Sequence, residues 1–404
     1  MKKIRLIAIF FAALMVVNGF NFVTYAWDYP LDIDVVYISF NYNTGSYSED
    51  ALSIIPGYGG SVIQREWDNG GSTNLKFAYI KSQTNRKIQV QFWHNQNQSQ
   101  SYNFAIGAAA SEGISFGDVP YATVSFPSNN NGYSEIRTYQ LNGTVAGSVG
   151  KRYVKFAWWC VNEALSMGYT GNHYYYTLLD APQAPMGIPW TSVLDYACVW
   201  ASGQTSAENA ATNITNSLYT SGFDYETGSG APRYGGWSSF YLTQFISELG
   251  SAYEVNCLDM GKAVTTFGNA VGCDLNLTTF SGTFALNCID PIGTPAPTNN
   301  PFSSPLIGDD CRYGGFGYHA FSQNASNVTW DACLKYDIDS NPDNVSNSNP
   351  GCGTTTTGYS WILPCNESES AYIQRLVDDW TSWENCSNRY NCGYFTYERA
   401  FAVN

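Results

Sequence analysis

Three residues of this chain could together run thiol chemistry: Cys257, His319 and Asp331. They come in the order cysteine, histidine, aspartate, with His319 62 positions after the cysteine and Asp331 another 12 on. In such a set a thiolate attacks a carbonyl carbon, an imidazole carries the proton, and a carboxylate orients the imidazole. The chain has 3 histidines, His94, His173 and His319, so few bases compete. His94 and His173 fall among strand-like segments and read as structural or exposed polar groups.

These residues need particular elements to hold them. Met260, Ala263, Val264, Phe267 and Val271 recur at helical spacing, and Gly272 is a natural stop. Asn256 is a preferred N-cap residue, which makes Cys257 the first residue of the helix. The partial positive charge there stabilises a thiolate and lowers a cysteine pKa from about 8.5. Asp259 in the first turn suits the same dipole but works slightly against the thiolate. The competing reading makes Cys257 half of a disulfide. His319–Gln323 and Asn327–Asp331 read as two strands joined by Asn324, Ala325 and Ser326. A hairpin centred on Ala325 sets 323 against 327, 321 against 329 and 319 against 331, with the last pair's Cβ atoms about 5 Å apart. A one-residue slip would turn one partner to the opposite face. Asp337 and Asp339 do not satisfy this register, and the competing reading is an ordinary hairpin with a polar histidine. Cys333 shares the face of Asp331; it is expected in a disulfide and is the one other thiol to weigh as nucleophile.

Asn-Cys-x-Asp at a helix start, then Gly317–Phe321 (Gly-Tyr-His-Ala-Phe), then Trp330–Leu334 (Trp-Asp-Ala-Cys-Leu), resembles the transglutaminase-like branch of the papain-like cysteine superfamily, the bacterial secreted members most closely. The resemblance runs from roughly Trp190 to Asp337. It implies an α+β core in which the nucleophile begins a helix packed on a sheet carrying histidine and aspartate. By that likeness Cys257 is the nucleophile, His319 the base and Asp331 the orienting acid. It also implies an oxyanion hole made by the cysteine N–H and one side chain; Trp237, Tyr241 and Tyr253 are the candidates, with Tyr241 preferred. Animal members carry an aromatic residue beside the nucleophile, where this chain has Asn256 and Leu258. That departure weakens the expectation of their amine-selective cross-linking.

Lys2, Lys3 and Arg5 precede an apolar run from Leu6 to about Val17, and Ala26 is a small residue before a polar stretch. These are the parts of a secretory signal peptide over residues 1–26, the run being shorter than the roughly 20 residues a membrane span needs. No later segment is apolar enough to span, so the expected localisation is secreted or extracytoplasmic, with no membrane span in the mature chain. Residues 27–180 carry short alternating runs, such as Ile88, Val90 and Phe92, separated by turn clusters, and read as an all-β sandwich. A proline-rich linker spans 181–190. A catalytic domain follows over 191–340, with helices expected from a Thr205–Glu208 capping box and over Ser239–Leu249. Residues 341–404 form a cysteine-containing extension with one helix expected over Glu369–Trp383. The fold class is therefore multidomain, a β-sandwich followed by an α+β domain, and disulfide-rich.

Eleven cysteines in an exported chain should mostly pair, which leaves one free thiol. No CxxC pair occurs and histidine is scarce, which argues against a metal site; no cofactor is needed. The formal charge of −14 becomes −17 without the three basic leader residues, which disfavours nucleic acid as a partner. A glycosidase would need paired carboxylates, and no pairing is legible. The expected function is a thioacyl-forming cysteine enzyme acting on a protein or peptide substrate, with water or an amine as second substrate. The rival is an extracellular binding protein or adhesin that holds a cell-surface polymer or host protein on exposed Tyr and Trp residues.

Overall fold

The computed structural model describes residues 30–42, 49–62, 66–69, 75–284, 286–293, 316–338, 360–377, 394–398 and 401–404. The leader, Asp339 and the cysteines at 311, 352, 386 and 392 lie outside the described residues. Within them the protein is mostly β, with five α-helices and six sheets.

Nine strands come first: β1 (Ile33–Ser39), β2 (Trp67–Asp68), β3 (Phe77–Ile80), β4 (Lys87–His94), β5 (Tyr102–Glu112), β6 (Val119–Phe126), β7 (Arg137–Gln140), β8 (Gly150–Cys160) and β9 (Leu165–Leu178). They form a four-stranded sheet, β2-β1-β4-β7, and a five-stranded sheet, β3-β9-β8-β5-β6. The period-two pattern works as sequence suggests: Ile88, Val90 and Phe92 of β4 point inward to a buried cluster shared with Phe104, Phe156 and Trp158 of the other sheet. His94 and His173 are both buried in this part, His173 bonded to Thr170 Oγ1 at 2.8 Å and ringed by Phe40, Trp67 and Phe156.

The second part begins with α1 (Thr191–Trp200), α2 (Ala207–Tyr219), β10 (Asp224–Tyr225), β11 (Ser239–Phe240), α3 (Leu242–Glu248), β12 (Glu254–Val255) and α4 (Cys257–Ala270). Strands β13 (Asn276–Phe284), β14 (Ile289–Pro291), β15 (Phe316–Gln323), β16 (Val328–Trp330) and β17 (Leu334–Asp337) follow. The last elements are β18 (Trp361–Ile362), β19 (Cys365–Ser368), α5 (Glu369–Leu376), β20 (Tyr394–Glu398) and β21 (Ala402–Val403). The central sheet is ordered β19-β16-β15-β13-β20, so strands from beyond residue 360 form both of its edges. Ser206, one residue later than the Thr205 expected, caps α2 by accepting the Asn209 N–H at 3.3 Å.

Helix α4 packs on β13 and β15 with every side chain buried. Gly261 permits the approach: a Cβ there would lie 2.9 Å from Leu277 Cδ1 and 3.2 Å from the Phe321 backbone nitrogen. Ser322 on β15 donates to the Gly261 carbonyl at 2.9 Å, tying helix to strand.

The two parts share an extensive joint. Asp195 of α1 takes Lys76 at 2.6 Å, Lys151 at 2.7 Å and the Tyr176 hydroxyl at 2.9 Å, all from the β3-β9-β8 region. Leu179 donates to the Val271 carbonyl at 2.9 Å, just past α4. Gly272 there has φ +87°, and a Cβ on it would strike the Asp180 backbone at 2.6 Å, so only glycine fits.

Pairwise oxidation of most cysteines does not hold among the described residues. Cys160, Cys198, Cys257, Cys273, Cys333 and Cys365 are free thiols, and Cys288 is disulfide-bonded. Five of the six free thiols are buried, where cysteine behaves as a small apolar side chain.

Candidate active site

Cys257 is the first residue of α4, and Asn256, extended at φ −117°, is its N-cap. The Asn256 side chain accepts the Asp259 N–H at 3.0 Å, and Asp259 accepts the Asn256 N–H at 3.3 Å, a reciprocal capping box. Asp259 also accepts the N–H groups of Arg233 at 2.8 Å and Tyr234 at 2.9 Å, which draws the preceding loop onto the helix start. Burial pushes the Asp259 carboxyl up to about 6, against the downward pull of those N–H groups and of Lys262. Cys257 is 3% exposed, at the positive end of the helix dipole.

His319 lies on β15, paired with Phe280 of β13, and is fully buried. Its Nε2 is 2.9 Å from Asp331 Oδ2, and the Cys257 side chain lies within electrostatic reach of the imidazole. With Nε2–H donated to the carboxylate, Nδ1 is the nitrogen left to hold or release the mobile proton. Burial alone would lower the imidazole pKa. The Asp331 charge and hydrogen bond, with a contribution from Cys257, outweigh it and raise His319 to about 10.

The route by which Asp331 reaches His319 differs from the expected hairpin. The observed pairs are Ser322 with Trp330 and Gln323 with Thr329, two positions away from a hairpin centred on Ala325. The turn holds four residues, Asn324 to Asn327: Asn324 donates to the Val328 carbonyl at 3.1 Å and Asn327 adopts φ +56°. A shift of two keeps the facing parity, so His319 and Asp331 stay on one side of the sheet although not directly opposite. Asp331 then leaves the strand, its N–H donating to the Pro364 carbonyl at 2.9 Å. Its carboxylate receives the Cys333 N–H on Oδ1 at 2.7 Å and the Tyr372 hydroxyl on Oδ2 at 2.6 Å. Of the alternative carboxylates, Asp337 is engaged elsewhere, accepting the Ser360 N–H at 2.8 Å.

Tyr372 was not among the sequence candidates. Its signal was weak but present: a tyrosine followed by Ile373 and Leu376 on the apolar face of a short helix must find an acceptor when buried.

Around the thiol the walls are aromatic and loop-borne. The Trp237 ring lies 4.7 Å from that of Tyr318, the neighbour of His319. The Asn256 amide donates to the Gly230 carbonyl at 2.8 Å and to Tyr318 Oη at 3.2 Å. The Glu226 carboxylate gathers the N–H groups of Gly228, Ser229, Gly230 and Ala231. Lys262, 1% exposed, donates to the carbonyls of Gly236 and Ser239, fixing the segment that carries Trp237. Tyr241 precedes α3 as its N-cap residue and is 45% exposed; among the described residues no hydrogen bond or ring contact joins it to the three candidate residues. Tyr253 is covered by Arg233 at 4.1 Å.

Cys333 is buried beside Asp331 and Cys257, and burial, then their charges, drives its thiol well above the ordinary range. That makes it a poor nucleophile. Among the described residues no group of His, Cys, Asp and Glu is arranged to hold a metal ion, and no helix is long and apolar enough to cross a membrane.

No family model matches the chain, and no curated protein does. Among solved structures it is similar to the crystal structure of a red sea bream transglutaminase, at 7% identity and a TM-score of 0.36. That similarity covers 82% of this chain and 55% of the other, so the chain spans little more than half of that enzyme's length. A likeness of that degree transfers neither mechanism nor substrate.

Proposed function

We propose that the protein is a transglutaminase-like cysteine enzyme that acts on peptide or carboxamide bonds through Cys257, His319 and Asp331. The observation that carries this reading is the His319–Asp331 pair at 2.9 Å beside Cys257, whose thiol sits at a helix N-terminus. The Cys257 thiolate adds to the carbonyl carbon, and the carbonyl oxygen takes the negative charge. The His319 imidazolium gives its proton to the leaving amine or ammonia as the carbon–nitrogen bond breaks, leaving a thioester on Cys257. Water or an amine then attacks the thioester, giving its proton to His319, and the thiolate leaves. Asp331 keeps the imidazole oriented and favours its charged form.

The oxyanion is stabilised by the Cys257 N–H together with one side chain; a donor of this kind is worth about 3 kcal/mol. Trp237 is the better-placed candidate of the three aromatic donors, because its ring packs on Tyr318 beside the histidine. Of the binding-protein readings, the one with Cys257 in a disulfide does not fit the free thiol at that position, whereas one with an intact but relict triad does.

An activated ester such as p-nitrophenyl acetate tests the acyl-transfer step without knowledge of the natural substrate. The expected result is a burst of nitrophenolate and an acetyl group located on Cys257 by peptide mass spectrometry, both lost in Cys257→Ala. No acetyl group on Cys257, with ester cleavage no faster than in that variant, would overturn the proposal.

A further inference from the structure

We propose that Tyr372 is a positioning residue for this site: by donating to the same Asp331 oxygen that holds His319, its hydroxyl fixes the carboxylate and sets how firmly it retains the imidazolium. The inference rests on the triad reading above and extends it to a residue 41 positions beyond Asp331.

Asp331 is fully buried and receives three donors from three separate elements: His319 of β15, the Cys333 N–H of the following turn, and Tyr372 of α5. Two of them share Oδ2. A donor on that oxygen spreads the carboxylate charge, so the carboxylate pulls less strongly on the imidazolium. The Tyr372 phenol is suited to the task because burial, then the charge of Asp331, holds its pKa well above the usual value, so it remains a donor.

The helix is clamped at both ends, which leaves the hydroxyl little freedom. At its start, Ser368 accepts the Ala371 N–H at 3.3 Å and Glu369 donates its own N–H to the Asn327 carbonyl at 2.9 Å. The Glu369 carboxylate accepts the Gln323 amide from β15 at 2.9 Å and the Tyr397 hydroxyl at 3.2 Å. At its end, Asn287 donates its N–H to the Leu376 carbonyl and its amide to the Arg375 carbonyl, at 2.9 and 2.8 Å. The ring itself meets Phe321 edge-on at 5.1 Å. The strand that carries His319 and the helix that carries Tyr372 are thus bolted to one another through Gln323 and Glu369.

A hydroxyl that merely satisfied its own burial would change the melting temperature on removal and nothing else. A positioning hydroxyl changes the proton affinity of His319. Without it, Asp331 holds the imidazolium alone and more tightly, and His319 keeps its proton to higher pH. The probe is the ratio of Cys257 alkylation rates by iodoacetate and iodoacetamide, followed across pH. The anionic reagent is favoured only while an imidazolium stands beside the thiolate, so the fall of that ratio reports the loss of the His319 proton.

In Tyr372→Phe the fall should move upward by roughly 0.5–1 pH unit, the scale of one ordinary net hydrogen bond. Replacing Tyr372 with 3-fluorotyrosine, a stronger donor of nearly the same shape, should move it downward, and this variant decides the matter alone if Tyr372→Phe does not fold. Coincident curves for the wild type and the folded variants would overturn the role of Tyr372 and leave the triad standing. A wild type whose ratio shows no fall would overturn the triad reading, and the Tyr372 proposal with it.

Discussion

A buried histidine is ordinarily neutral, because burial penalises the imidazolium. His319 departs from this: Asp331 and Cys257 raise it to about 10 from 6.5 in spite of complete burial. The stability this contributes is therefore complete below pH 6.5 and is lost as pH rises through about 10. Acyl transfer should fall over the same alkaline limb, where the leaving group loses its proton donor. Asp331→Asn removes the charge, so the limb in a pH–rate profile should move well down; an unmoved limb would deny Asp331 this part. His319→Ala should slow acetylation of Cys257 by about 10²–10⁴-fold, the usual worth of general acid–base catalysis. The nearness of His319 and Asp331 was legible because both lie on one short hairpin, and the place of Cys257 at a helix start because of its Asn-x-x-Asp cap. Tyr372 reaches Asp331 through tertiary packing across a gap of 41 residues, and no local pattern encodes that.

Helix α4 and strand β15 set the distance between Cys257 and His319. Their approach depends on Gly261, where an added Cβ meets Leu277 and the backbone of Ala320 and Phe321. Gly261→Ala should destabilise the fold by about 1–3 kcal/mol, as overpacking does. It should also slow Cys257 alkylation by moving the thiol away from His319; thermal melting and labelling rates would show both effects together. A destabilised variant with wild-type labelling would mean that this contact does not set the thiol–imidazole geometry. Strong local signals made α4 and β4 readable in sequence. Strand β5 escaped notice because Gly107, Ala108, Ala109 and Ala110 give it little strand character. Helix α1 escaped because Trp190 makes no side-chain cap. The hairpin register missed by two because the turn took in Asn327, whose positive φ an asparagine tolerates.

The molecule joins its two parts through Asp195 and through the contact of Asp180 with Gly272. In the first half, burial depresses His173 to about 3 and lowers His94 as well. Between pH 6.5 and about 3 the unfolded chain binds a proton at His173 that the folded chain refuses, so stability falls as pH falls through that window. His173→Phe should flatten that decline by a few kcal/mol at pH 4 relative to pH 7, on the order that a shift of this size implies. Denaturant unfolding at the two pH values measures it, and an unchanged slope would assign the acid response to other groups. At this scale the division into strand-rich and helix-containing parts was readable from the change of period near residue 190. The sheet edges supplied from beyond residue 360 were not, since pairing of β13 with β20 across more than 100 residues leaves no trace in local sequence.

The most direct test of the account compares the six free thiols among the described residues at once. Non-reduced protein is treated with limiting iodoacetamide near neutral pH, and each cysteine's labelling rate is read by peptide mass spectrometry, in the wild type and in His319→Ala. Burial drives the thiols of Cys160, Cys273 and Cys365 up to about 12 and those of Cys198 and Cys333 upward too. The account therefore predicts fast labelling at Cys257, slow labelling at those five, and a large loss of rate at Cys257 when His319 is removed. Labelling of Cys257 as slow as that of the other five, or unaffected by His319→Ala, would contradict it.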